Sequence, residues 1–129
     1  MVVNIDIVAA AMENSFFRKV LSTGRHSQVV VMSIPVGGEI GEEVHEGVDQ
    51  VLTFVSGEGV AIIDGEESRI ARDHLLHIPA GTRHNVINTG PLDLRLYTVY
   101  SPPEHADCTI HATKAEADAD EMAWFLALT

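Results

Sequence analysis

Between residues 28 and 101 apolar and polar positions alternate in short runs, and Gly, Pro, Asp or Asn separates one run from the next. The runs cover 28–34, 42–45, 50–55, 60–63, 68–71, 75–78, 84–88 and 94–100. They are rich in β-branched and aromatic residues, and a period of two marks a strand with one buried face. Asp64-Gly65 lies between two runs and is a preferred dipeptide of two-residue hairpin turns. Many short strands at close spacing predict an all-β sandwich, barrel or jelly roll of roughly seven or eight strands.

The flanks read differently. In Asn14-Ser-Phe-Phe-Arg-Lys-Val-Leu21 the apolar residues fall at 16, 17, 20 and 21. That spacing fits a short helical segment capped by Asn14 or Ser15, or an irregular lead-in that packs Phe16 or Phe17 on the body. Thr113-Lys-Ala-Glu116 has the form of a capping box and predicts a short C-terminal helix. Its apolar end, Met122-Ala-Trp-Phe-Leu-Ala-Leu128, is expected to pack on the body or on a partner subunit.

A chain of 129 residues, 46% of them apolar, is enough for one domain with one core. We divide 1–129 into a lead-in (1–27), a core (28–101) and a tail (102–129). Eight Lys and Arg against nineteen Asp and Glu give a formal charge of -11. Such a field repels phosphates, which argues against nucleic acid as a partner and against an anionic membrane surface. No apolar run approaches the roughly 18 residues of a membrane span. The start, Met1-Val-Val-Asn-Ile-Asp6, lacks the basic region of a secretory leader. Cys108 is the single cysteine, so no disulfide forms within the chain. Together these features predict a cytoplasmic protein.

Seven histidines in so short a chain raise the question of metal chemistry. Glu43 and His45 are two apart, so on a strand their side chains share a face while Val44 takes the other. An inward carboxylate and imidazole carry a desolvation cost unless they share a ligand. Gln50 opens the next run with an amide oxygen, and Pro79-Ala-Gly81-Thr-Arg-His84 is a tight turn that delivers His84 to the start of a strand. Glu43, His45, Gln50 and His84 can thus meet at a barrel mouth. Two imidazoles, one carboxylate and one amide oxygen suit a divalent transition metal (Mn, Fe, Ni, Co or Zn) rather than calcium. An octahedral ion would keep about two positions open for a small polar ligand.

The same residues carry a family resemblance. Gly37, then Glu43-Val44-His45, Gln50 and Gly57, resemble the first motif of the cupins, in which a Gly, His-x-His, Glu and Gly follow at the same spacing. Pro79, Gly81, His84 and Asn88 are similar to the second motif, Pro-x-Gly-x-x-His-x-x-x-Asn. The departures are Glu43 where the first His usually stands, Gln50 where the Glu stands, and Asp73 at the leading Gly of the second motif. The resemblance covers roughly residues 28–101 and is strongest to small single-domain cupins grouped with mannose-6-phosphate isomerase-like proteins. It implies a conical β-barrel, here with short terminal helices, one metal ion inside, and a homodimer. By position the metal ligands would be Glu43, His45, Gln50 and His84.

On that resemblance, sugar or sugar-phosphate isomerase-like chemistry ranks first, with the ion stabilising an enediolate while a base, Glu43 if it is not a ligand or else His77, moves the proton. A phosphate would need Arg83 or Arg95 to offset the acidic field. The alternatives are a non-haem iron dioxygenase, which uses the same two-histidine, one-carboxylate content, and a non-catalytic sensor of metal and ligand. His74 and His77 take opposite faces of their strand. Arg95 and Tyr97 share a face of the last strand, which leaves open whether they or Leu94, Leu96 and Thr98 point inward. Arg83 is expected at the surface and Asn88 as a backbone hydrogen-bonder. His105, Cys108 and His111 are expected in a surface loop, because their spacing matches no compact zinc pattern.

Overall fold

The alternation becomes nine strands and two helices in a computed structural model that describes residues 2–127. In chain order they are α1 (Ile7–Glu13), β1 (Arg18–Thr23), β2 (Gln28–Ile34), β3 (Asp49–Ser56) and β4 (Glu58–Ile63). Then come β5 (Glu66–Ala71), β6 (Leu75–Ile78), β7 (His84–Asn88), β8 (Leu94–Ser101), β9 (Ile110–His111) and α2 (Lys114–Ala127). One antiparallel sheet has the order β6-β3-β8-β2-β1-β9 and the other β5-β4-β7. Leu52, Phe54 and Leu96 of the large sheet share a single core cluster with Ala61, Ile70 and Val86 of the small one.

Register places the inward residues in rows. Gln28, Tyr100 and Gln50 pair across β2, β8 and β3, followed by Val30, Thr98 and Leu52, then Met32, Leu96 and Phe54. Residues 94, 96, 98 and 100 of β8 are all buried, so Leu94, Leu96 and Thr98 fill the barrel. Arg95 and Tyr97 lie on the outer face. There α1 covers the sheet, with Ala11 buried against Val31 and Val55 and packed on by Tyr97 and Leu21. The hairpin turn forms as expected, with φ of 48° at Asp64 and 84° at Gly65, both positive as a type I′ turn requires.

Two local expectations are corrected. Residues 14–21 do not form a helix: α1 precedes them, Asn14 ends it, and the segment runs into β1. The helix-like spacing arises because the register shifts between Val20 and Ser22. Phe17 and Val20 enter the main core, whereas Leu21 joins the outer cluster. Residues 42–45 are not a strand either. They form one bridge, Glu43 to His84, between Gly41 and Gly47, whose φ values of 105° and 77° interrupt extension.

The C-terminal helix begins as predicted. Thr113 Oγ1 accepts from Glu116 N at 3.2 Å, and Glu116 Oε2 accepts from Ala112 N at 2.7 Å. Ala117 is buried beneath it, while Met122 and Leu126 are exposed. The expected packing of Trp124, Phe125 and Leu128 falls outside the described side chains. Among the described residues no helix is long and apolar enough to cross a membrane.

Candidate metal centre

Four elements meet at the Gln28–Tyr100–Gln50 end of the cup. The 39–47 loop is held to β7 by paired backbone bonds, Glu43 N to His84 O at 2.8 Å and His84 N to Glu43 O at 2.9 Å. The turn at Gly81 (φ 81°) donates to His45 O at 2.9 Å. These bonds do what the expected 42–45 strand would have done: they put Glu43 and His45 beside His84. One donor atom each from Glu43, His45 and His84 lies within 4.8 Å of the others, a spacing that one ion can span. His45 Nε2 is 2.8 Å and His84 Nε2 3.8 Å from Glu43 Oε2.

Both imidazoles are tied back through their other nitrogen. His84 Nδ1 is 2.8 Å from Thr82 O, which accepts only if Nδ1 carries the proton, so its Nε2 lone pair faces Glu43. His45 Nδ1 is 3.3 Å from Glu104 Oε1. A carboxylate or carbonyl behind each ring is the arrangement that orients histidines towards a metal. Burial disfavours the charged His45 ring, but its hydrogen bonds to Glu104 and Glu43 outweigh that cost and raise its pKa to about 9. An ion entering this site therefore displaces a proton.

Gln50 stands in the Tyr100 row at the same end of the cup. It is buried, and its Nε2 donates to Thr98 Oγ1 at 3.2 Å. Its Oε1 is buried with no hydrogen-bond partner. A buried amide oxygen left unpaired costs about 1–3 kcal/mol, so an unpaired acceptor here fits a cation donor site. The donor chemistry and this orphaned oxygen both fit a mixed N/O transition-metal centre.

Other residues singled out from the sequence fall into place around it. His77 pairs with Val51 and is exposed, because Ile78 and Leu76 take the inward face of β6. It stands outside the cup, which removes it as the base. His74 is exposed as well. Arg83 faces Glu42 at the surface, and Arg95 bonds the Met12 carbonyl and Asp93 on the outer face, so neither compensates a phosphate inside. Asn88 Nδ2 donates to Ile34 O and Leu92 O at 3.0 and 2.9 Å, the backbone role expected of it. Asp73 takes the left-handed conformation (φ 69°) that a Gly serves more easily.

The sequence reading missed Glu104 and Arg18 and misplaced two histidines. Glu104 lies beyond the last long strand, and nothing in its local pattern points at His45. Gln28, fully buried, brings it there: Oε1 accepts from Glu104 N and His105 N, and Nε2 donates to His105 O at 2.7 Å. Of the three residues expected in a surface loop, Cys108 is exposed there, His105 is half-buried, and only His111, in β9, is buried. His105 stands edge-on to Tyr100, with ring centroids 5.0 Å apart. Burial, with Arg18, His45 and His111 nearby, lowers its pKa to about 3, so it is neutral. His111 is buried between Arg18 and Asp120.

A cleft of about 530 Å³ opens over Glu43 and His45. Its wall carries Glu39, Glu42, Glu104, Asp118 and Glu121 against one cation, Lys114, which is itself bound to Asp118 at 2.7 Å.

Residues 30–100 match the Cupin domain family, Cupin_2. The uncharacterized protein YrkC of Bacillus subtilis is 43% identical over 123 residues, which cover 91% of this chain and 66% of that one. The chain thus spans about two thirds of that relative's length. The oxalate-binding protein of Thermotoga maritima is 31% identical over 68 residues, 53% of this chain and 56% of that one. The crystal structure of BH2720 from Bacillus halodurans superposes with a TM-score of 0.89 at 41% identity, covering 91% of this chain and 93% of that one.

Proposed function

The chain belongs to the cupin domain family, and from that membership we propose that it holds one divalent transition metal on Glu43, His45 and His84. In this reading Gln50 is a fourth, oxygen donor, and the cup binds or converts a small oxygen-bearing molecule beside the ion. The observation that carries it is the convergence of three donor atoms within 4.8 Å, with both histidines anchored through Nδ1. When bound, the ion supplies Lewis-acid polarisation of a ligand oxygen, a role that Mn, Fe, Ni, Co or Zn can fill on mixed ligands.

The chain's own residues do the remainder. Glu43 brings the charge, Glu104 fixes the His45 ring, and Thr98 takes the Gln50 amide nitrogen, which leaves the amide oxygen free to serve as a donor. The acidic wall raises the local concentration of cations and disfavours polyanions. The Thermotoga relative's description as oxalate-binding supports a ligand that binds through oxygen. Sugar isomerisation is one reaction of this type. With His77 outside the cup and Glu43 taken as a ligand, its base would be Glu104.

Metal analysis of protein purified without added metal tests the reading: about one transition ion per chain is expected. No ion, even after reconstitution, would overturn it. The donor content of two imidazoles and one carboxylate also favours a second reading, a non-haem iron oxygenase. Anaerobic loading with Fe(II) followed by oxygen-uptake screening separates the two.

A further inference from the structure

The cleft over Glu43 and His45, at about 530 Å³, has room for far more than an ion. Two parts of the chain wall it. The 39–47 loop brings Glu39 and Glu42. The helix α2 brings Lys114, Asp118 and Glu121, which at roughly 100° per residue fall within about 60° of one another on a single face. Both walls are acidic, and like charges around one cleft repel. Among the described side chains of α2 only Ala117 is buried, so little apolar burial offsets that repulsion.

Part of the charge is matched within the chain. Glu42 faces Arg83, Glu43 and Glu104 hold His45, and Asp118 holds Lys114. Lys114 is the one Lys or Arg that lines the cleft, and its ammonium is 2.7 Å from Asp118, so an incoming anion would have to draw it away. Glu39 and Glu121 are exposed and have no cationic partner among the described residues; the Glu39 side chain accepts only from Asn85 Nδ2, at 3.5 Å.

These carboxylates do not make a second metal centre. Among the described residues Glu43, His45 and His84 are the one group of three donors that lie within 4.8 Å of one another. Glu39, Asp118 and Glu121 therefore do not converge closely enough to ligate a bare ion together. An ammonium needs no such convergence, because each of its three N–H groups can bond a different carboxylate. We propose that Glu39 and Glu121 select a ligand that carries a primary ammonium, held between the loop and α2 with an oxygen end at the metal group. The oxygen end rests on the metal reading above, and the ammonium end does not. The ligand class is then a small oxygen-bearing amine, cationic as a whole, which the field of a chain with charge -11 draws in.

Hydroxamates test this, because one oxygen-donor head can carry tails of different charge. The zinc-loaded protein is titrated calorimetrically with ω-amino hydroxamates, from that of glycine to that of 6-aminohexanoate, each against the isostere with methyl in place of ammonium. At one or more lengths the ammonium compound should bind at least about tenfold tighter, the scale of a charge-assisted pair. The double variant Glu39→Gln, Glu121→Gln should bring that preference under about twofold with zinc content and far-UV circular dichroism unchanged. Equal binding of ammonium and methyl tails by the wild type, or a preference that survives the double variant, overturns the proposal. Repeating the series without zinc separates the two readings. A chain that takes up no zinc yet keeps a preference dependent on Glu39 and Glu121 retains the ammonium site and loses the metal centre. A chain that holds zinc and shows no preference keeps the metal centre and loses the ammonium site.

Discussion

The inward faces of β2, β3, β7 and β8 change character along their length. At one end stand Gln28, Gln50, His84 and Tyr100; one or two steps farther in stand Val30, Leu52, Val86 and Leu96. Both ends are buried, yet they spend that burial differently. The apolar end gains roughly 25 cal/mol per Å² removed from water. The polar end must satisfy every donor and acceptor, and it leaves Gln50 Oε1 unpaired. The comparison teaches that the strands are anchored by one end and made reactive by the other. Damage to each should therefore be read by a different measurement.

The largest effect belongs to the apolar end. Phe54→Ala should cost about 3–5 kcal/mol in denaturant unfolding, because a fully buried ring leaves a cavity. A loss below about 1 kcal/mol would mean that this end is not the anchor. His84→Ala should do the reverse. Metal affinity should fall at least about a hundredfold with far-UV circular dichroism nearly unchanged. If fold and metal both survive, His84 is no ligand.

Glu104→Gln tests the support behind the ring and should weaken metal binding by about ten- to a hundredfold in a competition titration. An unchanged affinity would show that His45 needs no carboxylate behind it. The pH dependence has two signs. Without metal, the His45 proton held by Glu104 and Glu43 stabilises the fold fully below 6.5, the ring's ordinary value, and this contribution fades as pH rises through about 9. The thermal midpoint of the metal-free protein should fall across that window, and less so in Glu104→Gln. Metal affinity should rise across the same window as the competing proton leaves. The smallest effect is expected of His77→Ala, which should change stability by under about 0.5 kcal/mol and leave metal binding intact.

Much of the polar end could be read in the sequence because its residues open strands or turns. Gln50 begins a run of alternating positions, and His84 follows a Pro-Gly turn. Glu43 and His45 were identified for a partly mistaken reason, since they sit in a loop bridged to β7 rather than in a strand. Their two-residue spacing still put them on one side. Arg18 was hidden because the register shift after Val20 gives β1 the spacing of a helix, so its alternation with Val20 went unread. Glu104 could not be read at all. Its placement depends on a glutamine 76 residues earlier in the chain, and no local pattern records a contact of that range.

That glutamine has a consequence for how the protein can vary. Gln28 grips the backbone of Glu104 and His105, so the segment's position is set by β2 and owes little to the side chains of its neighbours. Residues 106–108, which lead to the bond from Val20 N to Thr109 O and so to β9, can thus change in composition without shifting either the carboxylate or the imidazole upstream of them. Diversity in this loop would reshape the exterior while the chemistry within stays put.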